Sequence, residues 1–148
     1  MDIIKIQQDL LKEIPDAARP PVYIPLKNDI TMLVPSAAFS CFLIPNESIY
    51  LDLAKSFTKV EKSPFKFYEE GKWTELVDTG MTKGEGSQCR KIFKRGDQTV
   101  LLAKNLLKHF AKGAKFYQEK DLNAVAVIEA GEVVAYVLPC RPPKEEND

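Results

Sequence analysis

Lysine is the residue type in this chain whose spacing most plainly suggests chemistry, and that chemistry is anion contact. Lys55, Lys59 and Lys62 recur at i, i+4 and i+7, and Lys104, Lys108 and Lys112 at i, i+4 and i+8. Such spacings place each trio on one side of a helix. The first trio lies opposite an apolar stripe of Ile49, Leu53, Phe57 and Val60, the second opposite Leu102, Leu106 and Phe110. Between Leu101 and Gln118 there are four lysines and no Asp or Glu, so neighbours at i, i+4 repel instead of pairing. A solvated face accounts for the first trio. For the second, a polyanion that neutralises the repulsion is an equally good account.

Chemistry that makes or breaks covalent bonds has no comparable signal. His109 borders an apolar helix face with no nucleophile beside it, which describes a packed imidazole better than a general base. Cys41, Cys89 and Cys140 are odd in number and far apart, as expected of reduced thiols and not of a disulfide framework or zinc site. Gly80–Gly86 is glycine-rich and contains Lys83 but lacks GxxxxGK[ST], so a phosphate-binding P-loop is not expected. Trp73 with Phe65, Phe67 and Tyr68 could stack bases, yet their alternation suits sheet packing. The expectation is a non-enzymatic protein without metal or cofactor.

The elements that must carry these lysines follow from pattern. At 148 residues and 45% hydrophobic the chain can bury one core. Its formal net charge is zero, but the charge is segregated. From Ser87 to Gln118 eight Lys/Arg face the single acid Asp97, and the compensating acids include Glu69, Glu70 and the tail Glu145, Glu146 and Asp148. A first helix is expected over 3–14, ended by Pro15, and short strands over 22–26 and 30–34 about the turn Lys27-Asn28-Asp29. A third extended run covers 38–44. A helix from Asn46 to Ser63 carries the first lysine trio, with Asn46 as its N-cap. A hairpin over 65–77, a loop over 79–87 and a strand over 88–94 follow. A helix over 102–112, capped by Gly113, carries the second trio. Strands over 115–119, 124–129 and 133–138 end the fold, the last two joined at Ala130-Gly131-Glu132. The fold class is α+β, with both lysine-bearing helices on one face of antiparallel sheets and two similar halves in succession. No apolar run is long enough to span a membrane and no leader is visible, so a cytoplasmic protein is expected.

Within this pattern Thr99–Arg141 resembles the second half of a domain of the bacterial DNA polymerase III sliding clamp (the beta subunit), above all its C-terminal domain. Val100-Leu101-Leu102-Ala103-Lys104-Asn105-Leu106-Leu107 stands where that family enters a helix through a YLLDAL-like segment. Ala135-Tyr136-Val137-Leu138-Pro139-Cys140-Arg141 stands at its YVVMPMR-like final strand, with Leu138 and Cys140 replacing the methionines. Gly84-Glu85-Gly86 is loosely similar to the GEAEE loop, and 38–78 can be laid over the first half of such a domain. The organisation implied is an N-terminal helix and hairpin extension over 1–37, a clamp-like domain over 38–142 and an acidic tail over 143–148.

The resemblance implies a function as well. Clamp helices line a central hole and face double-stranded DNA with basic side chains, which here would be Lys55, Lys59, Lys62, Lys104, Lys108, Lys112 and Lys115. The final clamp strand contributes to a peptide groove, and Tyr136, Val137, Leu138, Pro139 and Arg141 match that stretch. A buried strand without ligand is the alternative. Clamps have three such domains per chain and this chain has room for one, so a ring would need self-association or another replication protein. Such a replication accessory would suit a bacteriophage or prophage. Gln7-Gln8-Asp9-Leu10-Leu11 is similar to the pentapeptide by which partners dock on clamps, with Gln7, Asp9, Leu10 and Leu11 at its key positions. Leu10 and Leu11 equally serve the amphipathic pattern of the first helix. The alternative function is therefore a protein-interaction module that modulates a host replication protein without touching DNA.

Overall fold

The computed structural model describes residues 1–16, 19–120 and 123–141; the expected tail over 143–148 lies outside them. The chain opens with helix α1 (Ile3–Glu13). Asp2 caps it by accepting the Lys5 N–H at 3.0 Å, and Ile6 and Leu10, one turn apart, are its buried pair. Strands β1 (Val22–Pro25), β2 (Ile30–Val34) and β3 (Ser40–Pro45) then form an antiparallel meander. Asn28 and Asp29 sit at φ +63° and +57° in the first turn, a conformation that Asn and Asp tolerate better than most residues. The later strands are β9 (Lys115–Gln118), β10 (Val125–Glu129) and β11 (Glu132–Val137), a second meander whose β10–β11 turn uses positive φ at Ala130 and Gly131.

These six strands lie side by side in the order β1-β2-β3-β11-β10-β9. β3 meets β11 antiparallel at the centre, with Phe42 opposite Ala135, Cys41 opposite Tyr136 and Ser40 opposite Val137. Two short strands extend the ends: β4 (Thr58–Lys59) runs parallel to β1, and β5 (Thr74–Glu75) antiparallel to β9. A second sheet has three antiparallel strands, β6 (Val77–Lys83), β7 (Arg90–Arg95) and β8 (Gln98–Ala103). The fold is α+β.

Both faces of the main sheet are covered, which explains why its strands are apolar almost throughout. On one face Leu33, Phe42, Ile44, Val125, Val127 and Val137 pack with Ile6 and Leu10 of α1 and with Phe93, Val100 and Leu102 of the small sheet. Alternate residues Met32, Val34, Cys41, Ala126 and Tyr136 face the other way, under Phe65 and Trp73.

Several expectations need correcting. The long helix expected from Asn46 to Ser63 does not form. A 3-10 turn over Asn46–Ser48 gives way to extended backbone at Ile49, and α2 (Leu53–Ser56) is a single turn, capped by Asp52 and not by Asn46. Asn46 Oδ1 instead accepts the Thr31 hydroxyl at 2.6 Å, and β-branched Thr58 enters β4. The expected helix over 102–112 begins as strand. Leu102 is a buried β8 residue, and α3 (Lys104–Leu107) is again one turn. The hairpin expected over 65–77 is absent as such, because Thr74 and Glu75 pair with β9, and the expected loop from 79 is largely strand β6.

The repeat is present in a different place. It is helix plus three-strand meander twice over, α1-β1-β2-β3 and α3-β9-β10-β11, arranged about the β3–β11 pair. Residues 1–37 are therefore no appendage. They supply one helix and two strands of the central layer, and β2 pairs with β3 across the expected boundary.

Candidate nucleic-acid interface

Helix α1 and the α3 turn are neighbours on one face of the main sheet. The Asp2 N–H donates to the His109 carbonyl at 2.9 Å. Asp9 Oδ2 lies 3.1 Å from His109 Nε2 and 3.3 Å from Lys108 Nζ, while its Oδ1 is 3.4 Å from Lys5 Nζ. Beyond α3, Glu129 accepts the Ala111 N–H at 2.7 Å and pairs with the amino group of Met1. Acidic groups thus tie the two halves together from both sides.

The electrostatics follow from these contacts. Burial works to raise the Asp9 carboxyl, but Lys108 and Lys5 outweigh it and hold the group below its ordinary value. Burial lowers His109, against the pull of Asp9 and reinforced by Lys108, so the imidazole is kept neutral. Its ring packs edge-on to Phe42 at 6.1 Å. Glu13 is raised by burial and by the Asp9 charge. A cavity of about 180 Å³ opens between α1, α3 and the β2–β3 connection, with Leu10, Phe42, Leu106 and His109 among its walls.

Outward from this joint the layer is cationic. Lys5 and Lys12 of α1 and Lys104, Lys108 and Lys112 of the α3 region are all exposed, five cations against Asp2, Asp9 and Glu13. Asp2 is occupied as a cap and Asp9 is surrounded by Lys5, Lys108 and His109. Lys5 and Lys12 were not among the expected contacts. Their i, i+7 spacing opposite Ile6 and Leu10 is the signal in the sequence that could have found them.

The first lysine trio is not part of this layer. Lys55 lies on α2, Lys59 on β4 beside Tyr23, and Lys62 in the bend that follows. In the main sheet β4 is six strand intervals from β9, the strand of Lys115, or about 29 Å at ~4.8 Å per interval. The expectation of two lysine-bearing helices facing one space is therefore corrected: both are single turns, and the first trio is spread over α2, β4 and the bend after it, at the β4 edge of the sheet. Lys112 and Lys115 also line a cavity of about 330 Å³ with Lys91, Glu75 and Asp78.

Most of the peptide-groove and docking-motif residues are buried or half-buried. Tyr136 and Val137 are buried in the central strand, and the Tyr136 hydroxyl accepts the Tyr68 N–H at 2.7 Å. Leu138 donates its N–H to the Phe39 carbonyl, Pro139 is half-buried, and only Arg141 is exposed. That stretch offers no open groove because neighbouring strands flank β11 on both sides. Gln7 is fully buried. Its amide donates to the Ser48 carbonyl at 2.9 Å and accepts the Tyr50 N–H at 3.0 Å. Leu10 is in the core, Asp9 holds α3, and Leu11 is exposed. The pentapeptide is consumed by packing, so presenting it to a partner would require α1 to leave the sheet.

Comparison of the chain with protein families, curated proteins and solved structures returns no match. Among the described residues no helix is long and apolar enough to cross a membrane.

Proposed function

We propose that this protein is a non-enzymatic accessory of sliding-clamp-like organisation that contacts the backbone of duplex DNA through its α1/α3 layer, as an oligomer. One observation carries the proposal: the doubled helix-and-meander topology sets two lysine-bearing segments side by side on one face. Ammonium groups on flexible stems suit contact with phosphates without base readout. Apposed halves about a central strand pair support a two-part domain, with bounds other than those the resemblance implies.

The test is duplex binding against salt for Lys12→Glu/Lys104→Glu/Lys112→Glu, which spares the Asp9 partners Lys5 and Lys108. If all three lysines meet phosphates, the slope of log K against log salt should fall by about 2.7, at ~0.9 per contact. Lys55→Glu/Lys59→Glu/Lys62→Glu should leave it unaltered. Unchanged affinity and slope in the first variant would overturn the DNA contact. Sedimentation as a monomer at high concentration would remove the ring.

A second reading has its own observation. Ile4 and Leu11, at i, i+7 on the outer side of α1, are 63% and 45% exposed, beside Tyr50 at 54%. Apolar side chains gain nothing from phosphate, and they favour a protein partner on the same layer. Absence of duplex binding at low salt leaves this reading standing.

A further inference from the structure

Strand β7 sorts its cations by parity. Lys91 shares a side with buried Phe93; its Nζ lies 3.0 Å from Asp78 Oδ2 and 5.7 Å from the Phe93 ring centroid. Arg90, Ile92 and Lys94 take the opposite side. Strand register gives them their neighbours there. Lys83 and Ala103 flank Arg90, Leu101 is beside Ile92, and Val77 and Thr99 flank Lys94.

On this outer face the partners of the cations among the described residues are neutral. Arg90 donates to Gln88 Oε1 at 3.0 Å and to the Ser87 carbonyl at 3.4 Å, and Lys94 to Thr99 Oγ1 at 2.9 Å. Among the described residues no carboxylate pairs with Lys83, Arg90 or Lys94. Moreover Arg90 and Lys83 stand directly opposite each other, an arrangement of like charges that works against the sheet. Between the cationic ends runs a row of half-buried Ile92 and Leu101, and Val77 at the edge is 64% exposed.

We propose that this outer face of the β6–β8 sheet docks an acidic segment of a partner protein. Its apolar side chains would lie over Ile92, Leu101 and Val77, and its carboxylates would meet Lys83, Arg90 and Lys94. An apolar centre inside a charged rim is the anatomy of a protein interface. The Arg90 guanidinium offers a carboxylate two parallel donors. A nucleic-acid backbone would satisfy the charges but leave the apolar row uncovered. The edge of β6 is less suited to strand addition, because Asp78 and Thr79 side chains already accept the Gly80 and Met81 N–H groups.

The experiment uses the full chain and three fluorescent probes: a Glu/Leu peptide of repeating Glu-Glu-Leu-Leu, which in extended form presents both residue types on each face, a Glu/Ser peptide of repeating Glu-Glu-Ser-Ser, and an oligothymidylate of equal length. Anisotropy should show the Glu/Leu peptide bound best, with Glu/Ser weaker. Arg90→Glu/Lys94→Glu should weaken the Glu/Leu peptide by about tenfold or more, and Val77→Asp should weaken it without altering the fold. The Lys12→Glu/Lys104→Glu/Lys112→Glu variant should bind this peptide as wild type does, so the docking face and the DNA contact fail or survive separately. Failure to bind either peptide, or equal binding by Arg90→Glu/Lys94→Glu, would overturn the proposal. So would tighter, Arg90-dependent binding of the oligonucleotide, which would reassign the face to nucleic acid.

Discussion

Replacing Gln7 by Leu gives the most direct measure of what the N-terminal helix contributes. Gln7 is 0% exposed, and its amide joins α1 to the chain that leaves β3, through Ser48 O at 2.9 Å and Tyr50 N at 3.0 Å. Leucine nearly conserves volume, so little cavity cost intrudes and the polar loss is isolated. The substitution leaves the Ser48 carbonyl and the Tyr50 N–H without their partner, at about 1–3 kcal/mol for each group that stays dry. Tyr50 is 54% exposed, so water recovers part of its share, and a total of about 2–3 kcal/mol is expected. With m near 2 kcal/mol/M the urea midpoint should fall by roughly 1–1.5 M. Fluorescence of Trp73, the single tryptophan, supplies the signal. Gln7→Glu should cost more at neutral pH, where a carboxylate would face the Ser48 carbonyl, and should recover on acidification. A Gln7→Leu variant within about 0.5 kcal/mol of wild type would refute the structural role and free this residue for docking.

Two further outcomes follow from buried groups. His109 is lowered from the ordinary 6.5 by burial, so the unfolded chain takes up protons more readily. The stabilisation from the neutral imidazole is complete above that value and is lost as pH falls below it towards the folded-state value. Urea midpoints should therefore drop between neutral and mildly acidic pH, and His109→Gln should flatten the drop; identical profiles would sink the assignment. Tyr136→Phe removes the acceptor of the Tyr68 N–H at 2.7 Å, a loss of about 1–3 kcal/mol. It should also loosen the cover over the second face, seen as a weaker near-ultraviolet dichroism of Trp73, and an unchanged spectrum and stability would show the hydroxyl to be idle.

Where local chemistry decides, the sequence was readable. Asn28-Asp29 and Ala130-Gly131 mark tight turns because few residues accept positive φ, and both hairpins formed there. Ile6 and Leu10 announced α1, and the continuous apolar runs Val125–Val127 and Ala135–Val137 announced strands. The two lysine-bearing helices expected from spacing are single turns, and a 3.6-residue period needs several turns to be distinctive. Leu102, Leu106 and Phe110 fit a helix, yet Leu102 belongs to a six-residue strand whose partner, Arg90–Arg95, is set by the Gly96 turn. The Lys104 N–H continues that ladder by donating to the Cys89 carbonyl. Tertiary pairing outweighed a helix propensity that differs by only a few tenths of a kcal/mol per residue.

Charge shows the same limit from another side. Counting from Ser87 to Gln118 finds eight cations and one acid, but the count cannot say which cations are answered from elsewhere in the chain. Lys91 is answered by Asp78, thirteen residues earlier, and Lys108 by Asp9, ninety-nine residues earlier. Among the described residues Arg90 and Lys94, one position either side of the Lys91–Phe93 parity, are not. A shift of β7 by one residue against β6 would exchange these sets, burying Arg90 and Lys94 against the core and turning Phe93 to solvent. The surface that is free to bind an anion is thus fixed by strand register, which the apolar inward residues Phe93, Val100 and Leu102 enforce. Substituting Phe93 would therefore disturb the outer cationic face as well as the core, although no cation on that face is replaced.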